Sequence, residues 1–232
     1  MSLIPLPENH RKIIQSIYNT LHTYYGSQDA WWPSETSFEV ILGAILTQRT
    51  SWHNAQLALE NLKAYGTSSP SDLDSLPKEK LQELIYPAGF FKLKTSRIKT
   101  ICQFILQNYD GNAENMKKIP FKKVRMSLLD LNGIGPETAD AIVLYSLEKP
   151  TFVIDEYTKR LFLRLGVFPA GNKYNDWQNF FINNIDSDTV FSQQYHALIV
   201  EHCKQICSKR PLCQGCPLNE ICDYYQDNRI FL

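Results

Sequence analysis

The sequence has no apolar run near the roughly twenty residues that a membrane-spanning helix needs. Its start, Met1-Ser2-Leu3-Ile4-Pro5-Leu6-Pro7, lacks the basic stretch followed by an apolar one that marks a secretory leader. These absences point to a cytoplasmic protein with reduced thiols and no membrane partner. Net charge is also missing, because 24 basic side chains balance 24 acidic ones. That speaks against a surface built to attract a polyanion from every side. Sustained strand alternation is absent, and the β-like Thr151-Phe152-Val153-Ile154 is too short to change the class. No internal repeat or low-complexity tract is evident. What is left is ordinary globular composition, 44% hydrophobic and 21% charged over 232 residues. Such a chain can bury one large core or two small ones.

The pattern that is present is helical. Phe38, Ile41, Leu42, Ile45 and Leu46 form one apolar stripe at i, i+3, i+4, i+7 and i+8. Thr36, three residues before Glu39, predicts a capping box at its start. Ile98, Ile101, Cys102 and Ile105 repeat the spacing, as do Ala139, Ile142 and Val143. Glycine and proline punctuate the chain at 66–70, 87–89, 110–112 and 169–171. The expectation is an all-α protein of about ten short helices.

Charge is uneven along the chain. Residues 92–125 hold nine basic side chains and two acidic ones, a local excess of +7. A basic face for a polyanion bound on one side and simple solvated lysines account for this equally well.

The run Leu131-Asn132-Gly133-Ile134-Gly135-Pro136-Glu137-Thr138-Ala139 follows a helical stretch at 121–130. Gly133 and Gly135 allow positive φ and close backbone approach, and Pro136 suits the first turn of a new helix. The product is a hairpin whose free N–H groups favour an anion, or else a plain turn with a glycine cap. About twenty residues on, Asp155 stands before another helical pattern (Leu161, Leu165), where it could be no more than an N-cap.

Cys207, Cys213, Cys216 and Cys222 form C-x5-C-x2-C-x5-C. Four thiols this close in a reducing compartment point to metal, not disulfides. Zinc usually takes two separated knuckles, and only one Cys-x-x-Cys exists here. A single tight loop suits a 4Fe–4S cubane. Cys102 lies on an apolar stripe and reads as core.

The hairpin, the aspartate at this distance and the cysteine loop together resemble the helix-hairpin-helix DNA glycosylases of the endonuclease III and adenine-glycosylase type. The resemblance runs from about residue 10 to 225 and implies a fold and a site. The fold would be two-lobed: a six-helix barrel domain at 27–149, and an iron–sulfur domain made of 1–26 plus 150–232. Double-stranded DNA with a damaged base would lie between the lobes, bound by a monomer. Asp155 would be the catalytic carboxylate. Gly133, Ile134, Gly135 and Thr138 of the hairpin would hold a backbone phosphate, aided by a monovalent cation. Gln48 would fill the hole left by the flipped base, beside Arg49. Gly89-Phe90-Phe91 with Lys94 and Arg97 would touch a strand, and Lys209 and Arg210 would face phosphate from the cluster loop. Cys207, Cys213, Cys216 and Cys222 would hold the 4Fe–4S cluster, although five residues separate the first two where the family usually has six. Cys203 is the alternative first ligand.

One departure bears on mechanism. Strand-cutting members carry a lysine two residues after the second hairpin glycine, and this chain has Glu137 there. A carboxylate cannot form an imine. The expectation is a monofunctional glycosylase that uses water, with Glu137 a solvated first-turn acid. Trp31-Trp32-Pro33 is either a core lid or a stacking platform. Taken with the missing lysine, it resembles the alkylated-purine (3-methyladenine) branch and makes Trp31 and Trp32 base-pocket candidates. Adenine glycosylases usually add a C-terminal recognition domain, and the ten residues after Cys222 offer none. The alternatives are an endonuclease III-like glycosylase for oxidised or mismatched bases, and a catalytically silent iron–sulfur DNA-binding protein.

Overall fold

A computed structural model describes residues 7–29, 31–67, 69–186 and 188–228, with side chains from His10 onward. The start, Met1–Leu6, read above for a leader, lies outside the described residues. Among the described residues the chain forms twelve α-helices and no strand. They begin with α1 (Pro7–Tyr25), α2 (Ser37–Leu46), α3 (Trp52–Ala64), α4 (Pro70–Ser75), α5 (Lys78–Leu84) and α6 (Phe91–Tyr109). The series continues with α7 (Phe121–Leu129), α8 (Pro136–Ala141), α9 (Glu156–Arg164), α10 (Tyr174–Asn184), α11 (Thr189–Gln205) and α12 (Asp223–Asn228). No helix among them is long and apolar enough to cross a membrane.

The described residues gather into two compact units. One takes the chain up to Trp31 and from Pro150 onward, and the other is Trp32–Lys149. The first division falls five residues later than the 26/27 boundary read from sequence, and hydrogen bonds explain why. Gln28 N–H donates to Gln194 Oε1 at 2.7 Å and Trp31 Nε1–H to Glu201 Oε1 at 3.1 Å, so this segment belongs with α11.

The second unit is built on α2, in which every residue except Glu39 is buried. Thr36 Oγ1 caps it by accepting from Glu39 N–H at 3.2 Å. The return bond of a capping box is diverted: the Glu39 carboxylate accepts from Glu35 N–H at 2.8 Å and pairs with Lys63 at 2.9 Å. Ser37 and Ser146 each donate a hydroxyl to the other's carbonyl, at 3.0 and 2.9 Å. These bonds tie α2 to a π turn, Ile142–Ser146, that continues α8. The hairpin helices α7 and α8 are clamped by Arg125. Its Nε and Nη2 donate to the two oxygens of Asp140 at 2.7 and 2.8 Å. Asp140 is fully buried, so the fork supplies charge and geometry where water cannot.

The first unit has an aromatic core. Phe152 stacks on Phe181 with centroids 4.3 Å apart, and Trp177 and Tyr195 complete the cluster. The Tyr195 hydroxyl donates to Ile14 O at 2.7 Å, fastening α1. The β-like 151–154 stretch is extended and buried but pairs with no strand. Side chains serve its backbone instead. Gln178 Nε2 donates to Phe152 O at 3.2 Å, and Ile154 N–H donates to the Tyr174 hydroxyl at 3.3 Å. This buried segment delivers Asp155 to the start of α9.

Removing one member of a buried charge pair strands the other, at about 3–5 kcal/mol. Asp140→Asn should therefore lower the urea-unfolding free energy by about that amount. A loss below about 1 kcal/mol would show that water reaches the pair.

Candidate active site

Asp155 caps α9: its Oδ1 accepts from Thr158 N–H at 2.7 Å. Its Oδ2 lies 3.5 Å from Nε2 of His196, a residue of α11 that the sequence reading did not single out. The Asp155 side chain is 14% exposed. Burial alone would raise its carboxyl, but the His196 imidazole and the Thr158 N–H outweigh that and hold it below the ordinary carboxylate value. The cap and the candidate catalytic carboxylate are thus one side chain.

In the second unit the hairpin turns at Gly133, with φ +89°. A Cβ there would also fall 2.6 Å from Cγ of Arg97, so only glycine fits. Gly135 departs from expectation. Its φ is −85°, an ordinary extended value, and it is exposed with open space where a Cβ would stand. Its value is room for a ligand to approach, not a left-handed turn. Ile134 must also be corrected. Its side chain is 4% exposed and its N–H is taken by Leu131 O at 3.1 Å, so neither is left for phosphate. Gln48, Arg97, Gly133 and Thr138 do come together. Gln48 Nε2 donates to Thr138 Oγ1 at 2.8 Å and to Gly133 O at 3.3 Å, while Arg97 donates to Gln48 Oε1. As a wedge Gln48 would exchange these bonds. Arg49 is exposed in the left-handed region (φ +56°), its guanidinium 6.0 Å from the Phe90 ring, and Phe90 is itself left-handed (φ +45°). Such left-handed non-glycine residues are costly and persist only where surrounding contacts hold them.

Much of the basic segment is turned inward. Lys94 is 1% exposed and donates to Leu46 O at 2.7 Å and Ala88 O at 2.8 Å, which corrects its reading as a strand contact. Lys99 donates to Asp74 O at 2.6 Å, Lys117 pairs with Glu114 and Glu148, and Arg125 holds Asp140. Lys92, Lys118, Lys122 and Lys123 remain exposed. A charge count along the sequence cannot see such carbonyl caps and pairings.

The two tryptophans have different settings. Trp31 meets His196 edge-on, centroids 5.6 Å apart, with its indole N–H on Glu201. Trp32 packs against Trp52 at 5.5 Å, Tyr145 at 5.0 Å and the bare backbone of Gly43. The sequence reading singled out neither Trp52, which opens α3, nor Tyr145, which the π turn brings to Trp32.

Cys207, Cys213, Cys216 and Cys222 line one cavity, with Arg164 and His202. All are free thiols. Arg164 Nη1 donates to Cys207 Sγ at 3.2 Å and to Ser208 O at 2.7 Å, and Arg160 Nε donates to Cys207 O at 2.9 Å. His202 Nε2 lies 3.6 Å from Cys216 Sγ, its Nδ1 3.0 Å from the Tyr25 hydroxyl. The Cys203 hydrogen bond and the Arg164 guanidinium outweigh burial and push the Cys207 thiol down. Cys203 does not line the cavity; its Sγ stands 3.5 Å from Tyr157 O. Among the described residues no three His, Cys, Asp or Glu side chains form a set for a single metal ion. A cubane makes no such demand, since each thiolate binds a separate iron corner. Lys209 and Arg210 are exposed on this loop.

Comparison with known proteins gives the class. Residues 42–182 match the family described as HhH-GPD superfamily base excision DNA repair protein. A putative DNA repair glycosylase of Methanocaldococcus jannaschii is 47% identical over 219 residues, 94% of this chain and 99% of the relative. Endonuclease III of Sulfolobus acidocaldarius is 29% identical, covering 82% of this chain and 83% of the relative. Among solved structures, the 3-methyladenine DNA glycosylase of H. pylori bound to 1,N6-ethenoadenine has a TM-score of 0.73 at 28% identity, over 84% of this chain and 97% of that one. An endonuclease III–DNA complex shares the fold, with a TM-score of 0.81 at 19% identity, over 95% of this chain and 98% of that one. The chain belongs to the HhH-GPD superfamily and is a base excision repair DNA glycosylase of the endonuclease III-like type.

Lys94 yields a pH test. Burial, then Arg97, push its ammonium down to about 8, while an unfolded lysine titrates near ~10.4. Between those values the unfolded chain keeps a proton that the folded chain has lost, so stability rises with pH across the window and is flat below it. Lys94→Met should lower stability by about 2–3 kcal/mol through its two orphaned carbonyls. It should also abolish that rise and leave the salt slope of DNA binding unchanged. Urea melts from pH 7 to 10 and salt titrations check this; a reduced salt slope would return Lys94 to the phosphate contacts.

Proposed function

We propose that this glycosylase is monofunctional and removes alkylated purines, such as 3-methyladenine or 7-methylguanine, with Asp155 as its catalytic carboxylate. The observation that carries the reading is the double anchoring of Asp155, one oxygen on the Thr158 amide and the other facing His196. A carboxylate held ionised stabilises the positive charge that builds on the sugar as the base leaves, and orients water toward it. It offers no proton to the leaving group. Such a site favours a base that departs unaided, as a cationic methylated purine does. Trp31 and Trp32 are the candidates to stack on the flipped base, and Trp52 and Tyr145 pack against Trp32. The H. pylori relative, a 3-methyladenine glycosylase bound to 1,N6-ethenoadenine, supports a modified purine as the substrate. Glu137 supplies no amine, which supports water over a Schiff base. The hairpin around Gly135 and Thr138 would take a backbone phosphate with a monovalent cation; Arg49, and separately Lys209 and Arg210, are further candidates for DNA contact, and the enzyme would act as a monomer.

Cys207, Cys213, Cys216 and Cys222 would hold a 4Fe–4S cluster, which supplies a rigid cross-link at the loop's core. Arg160 and Arg164 tie the loop's carbonyls to α9, and His202 faces one sulfur. Protein prepared without oxygen should contain about four irons per chain. Stoichiometric zinc in their place would refute the cluster.

The catalytic reading is tested by single-turnover excision on duplexes that each carry one lesion. Asp155→Asn should cut the rate at least about 10²-fold, with folding and DNA binding kept. Wild type should leave an abasic strand that breaks only with alkali, and borohydride should trap no adduct. An efficiently trapped adduct would place a lysine in the reaction. Preferred excision of oxidised or mismatched bases would move the substrate to the endonuclease III type, and no excision of any lesion would favour the silent DNA-binding protein.

A further inference from the structure

We propose that His196 is a positioning residue for Asp155: its Nε2–H holds Oδ2 while the Thr158 amide holds Oδ1, and the edge of Trp31 fixes the imidazole in turn. The inference rests on the reading of Asp155 as the catalytic carboxylate. His196 is 5% exposed. Two rings meet it nearly at right angles, Trp31 at 5.6 Å and 89° and Phe152 at 6.4 Å and 88°. They fix its plane so that Nε2 points at the carboxylate, 3.5 Å away. At that separation Nε2 is buried without a closed hydrogen bond, and catalytic contacts without substrate are often long and tighten only when it binds. Trp31 is itself anchored: its indole N–H donates to Glu201, and Glu201 pairs with Lys204 at 3.0 Å. A line of contacts thus runs from a surface ion pair through indole and imidazole to the reacting carboxylate.

The arrangement does what one cap bond cannot. The Thr158 amide fixes one oxygen but leaves the carboxyl free to turn about that contact. A second donor on the other oxygen removes that freedom, and holding charge in register is worth most in the transition state. Cys203 on α11 is within electrical reach of Asp155, and its hydrogen bond to Cys207 and burial keep it a neutral thiol. Facing His196 are Asp155 and, behind Trp31, Glu201 and Lys204.

Three measurements decide the matter. First, 15N NMR of the wild-type imidazole should find a proton on Nε2 at neutral pH. Second, 13C NMR should follow the Asp155 carboxyl, assigned by its loss in Asp155→Asn. In His196→Phe the carboxyl should titrate about one pH unit higher, because a partner that favours the anion is gone. Third, single-turnover excision of a 3-methyladenine or 7-methylguanine duplex should fall about tenfold or more in His196→Phe. The acid limb, where activity is lost as Asp155 takes a proton, should move up with the carboxyl. His196→Gln, which keeps an N–H donor, should recover most of the rate, and binding to undamaged duplex should be unchanged in both. An Nε2 without a proton, an unmoved carboxyl titration, or equal rate losses in the Phe and Gln variants would each overturn the proposal. If His196→Phe does not fold, the wild-type Nε2 proton and the Gln variant's rate decide. If wild type excises no alkylated base, the substrate reading fails, while the two NMR arms still judge His196.

Discussion

One short helix, α9, sets the chemistry of the first unit. Its first turn needs an acceptor for orphaned N–H groups, and Asp155 is that acceptor. One and two turns on, Arg160 and Arg164 lie on the same face and reach the carbonyls and one sulfur of the cysteine loop. Asp155, the proposed catalytic carboxylate, and the loop are therefore referenced to one rigid element of nine residues. A shift of α9 along its axis would break the cap and the loop contacts together. This gives the loop a mechanical role toward the active site through ordinary hydrogen bonds.

The second unit solves a different problem. Its hairpin must offer backbone to a ligand, so its own side chains have to secure it from behind. The buried Arg125–Asp140 fork joins the two helices, and Gln48 and Arg97 close over Gly133. Lys94 bonds the carbonyl ends that lead into Gln48 on one side and Phe90 on the other. One ammonium thus links the two loops that bear the left-handed residues Arg49 and Phe90. Such strain persists only where surrounding contacts over-determine the backbone.

The sequence was legible where a local rule had a single physical meaning. The α2 stripe, the Thr36 cap, the hairpin turn and the aspartate before α9 all follow from periodicity, caps and glycine. It misled where partners are remote. Part of the excess charge at 92–125, on Lys94, Lys99, Lys117 and Arg125, goes to carbonyls and carboxylates that the count cannot locate. His196 and His202 are six residues apart on α11, and neither carries a motif. Only the packing of α11 shows that one faces Asp155 and the other Cys216. The paired tryptophans read as one feature, yet adjacent side chains point apart, and Trp31 and Trp32 belong to different units.

The proposed pair of donors on Asp155 would also constrain what the enzyme can accept. Each donor stabilises the anion and so makes it a weaker base, which costs reactivity toward water. The same donors keep its charge present and fixed in place, which serves a sugar cation formed before water attacks. A site arranged this way gains most when bond breaking runs ahead of nucleophilic attack. That order requires a leaving base that is already electron-poor. Selectivity then comes from two sources: the intrinsic weakness of the glycosidic bond, and stacking in an aromatic pocket that prefers a polarised ring. Neither source needs a hydrogen-bond code for one particular lesion. A glycosylase built on these terms would accept a family of alkylated purines and leave normal bases, whose bonds are strong, uncut even when they visit the pocket.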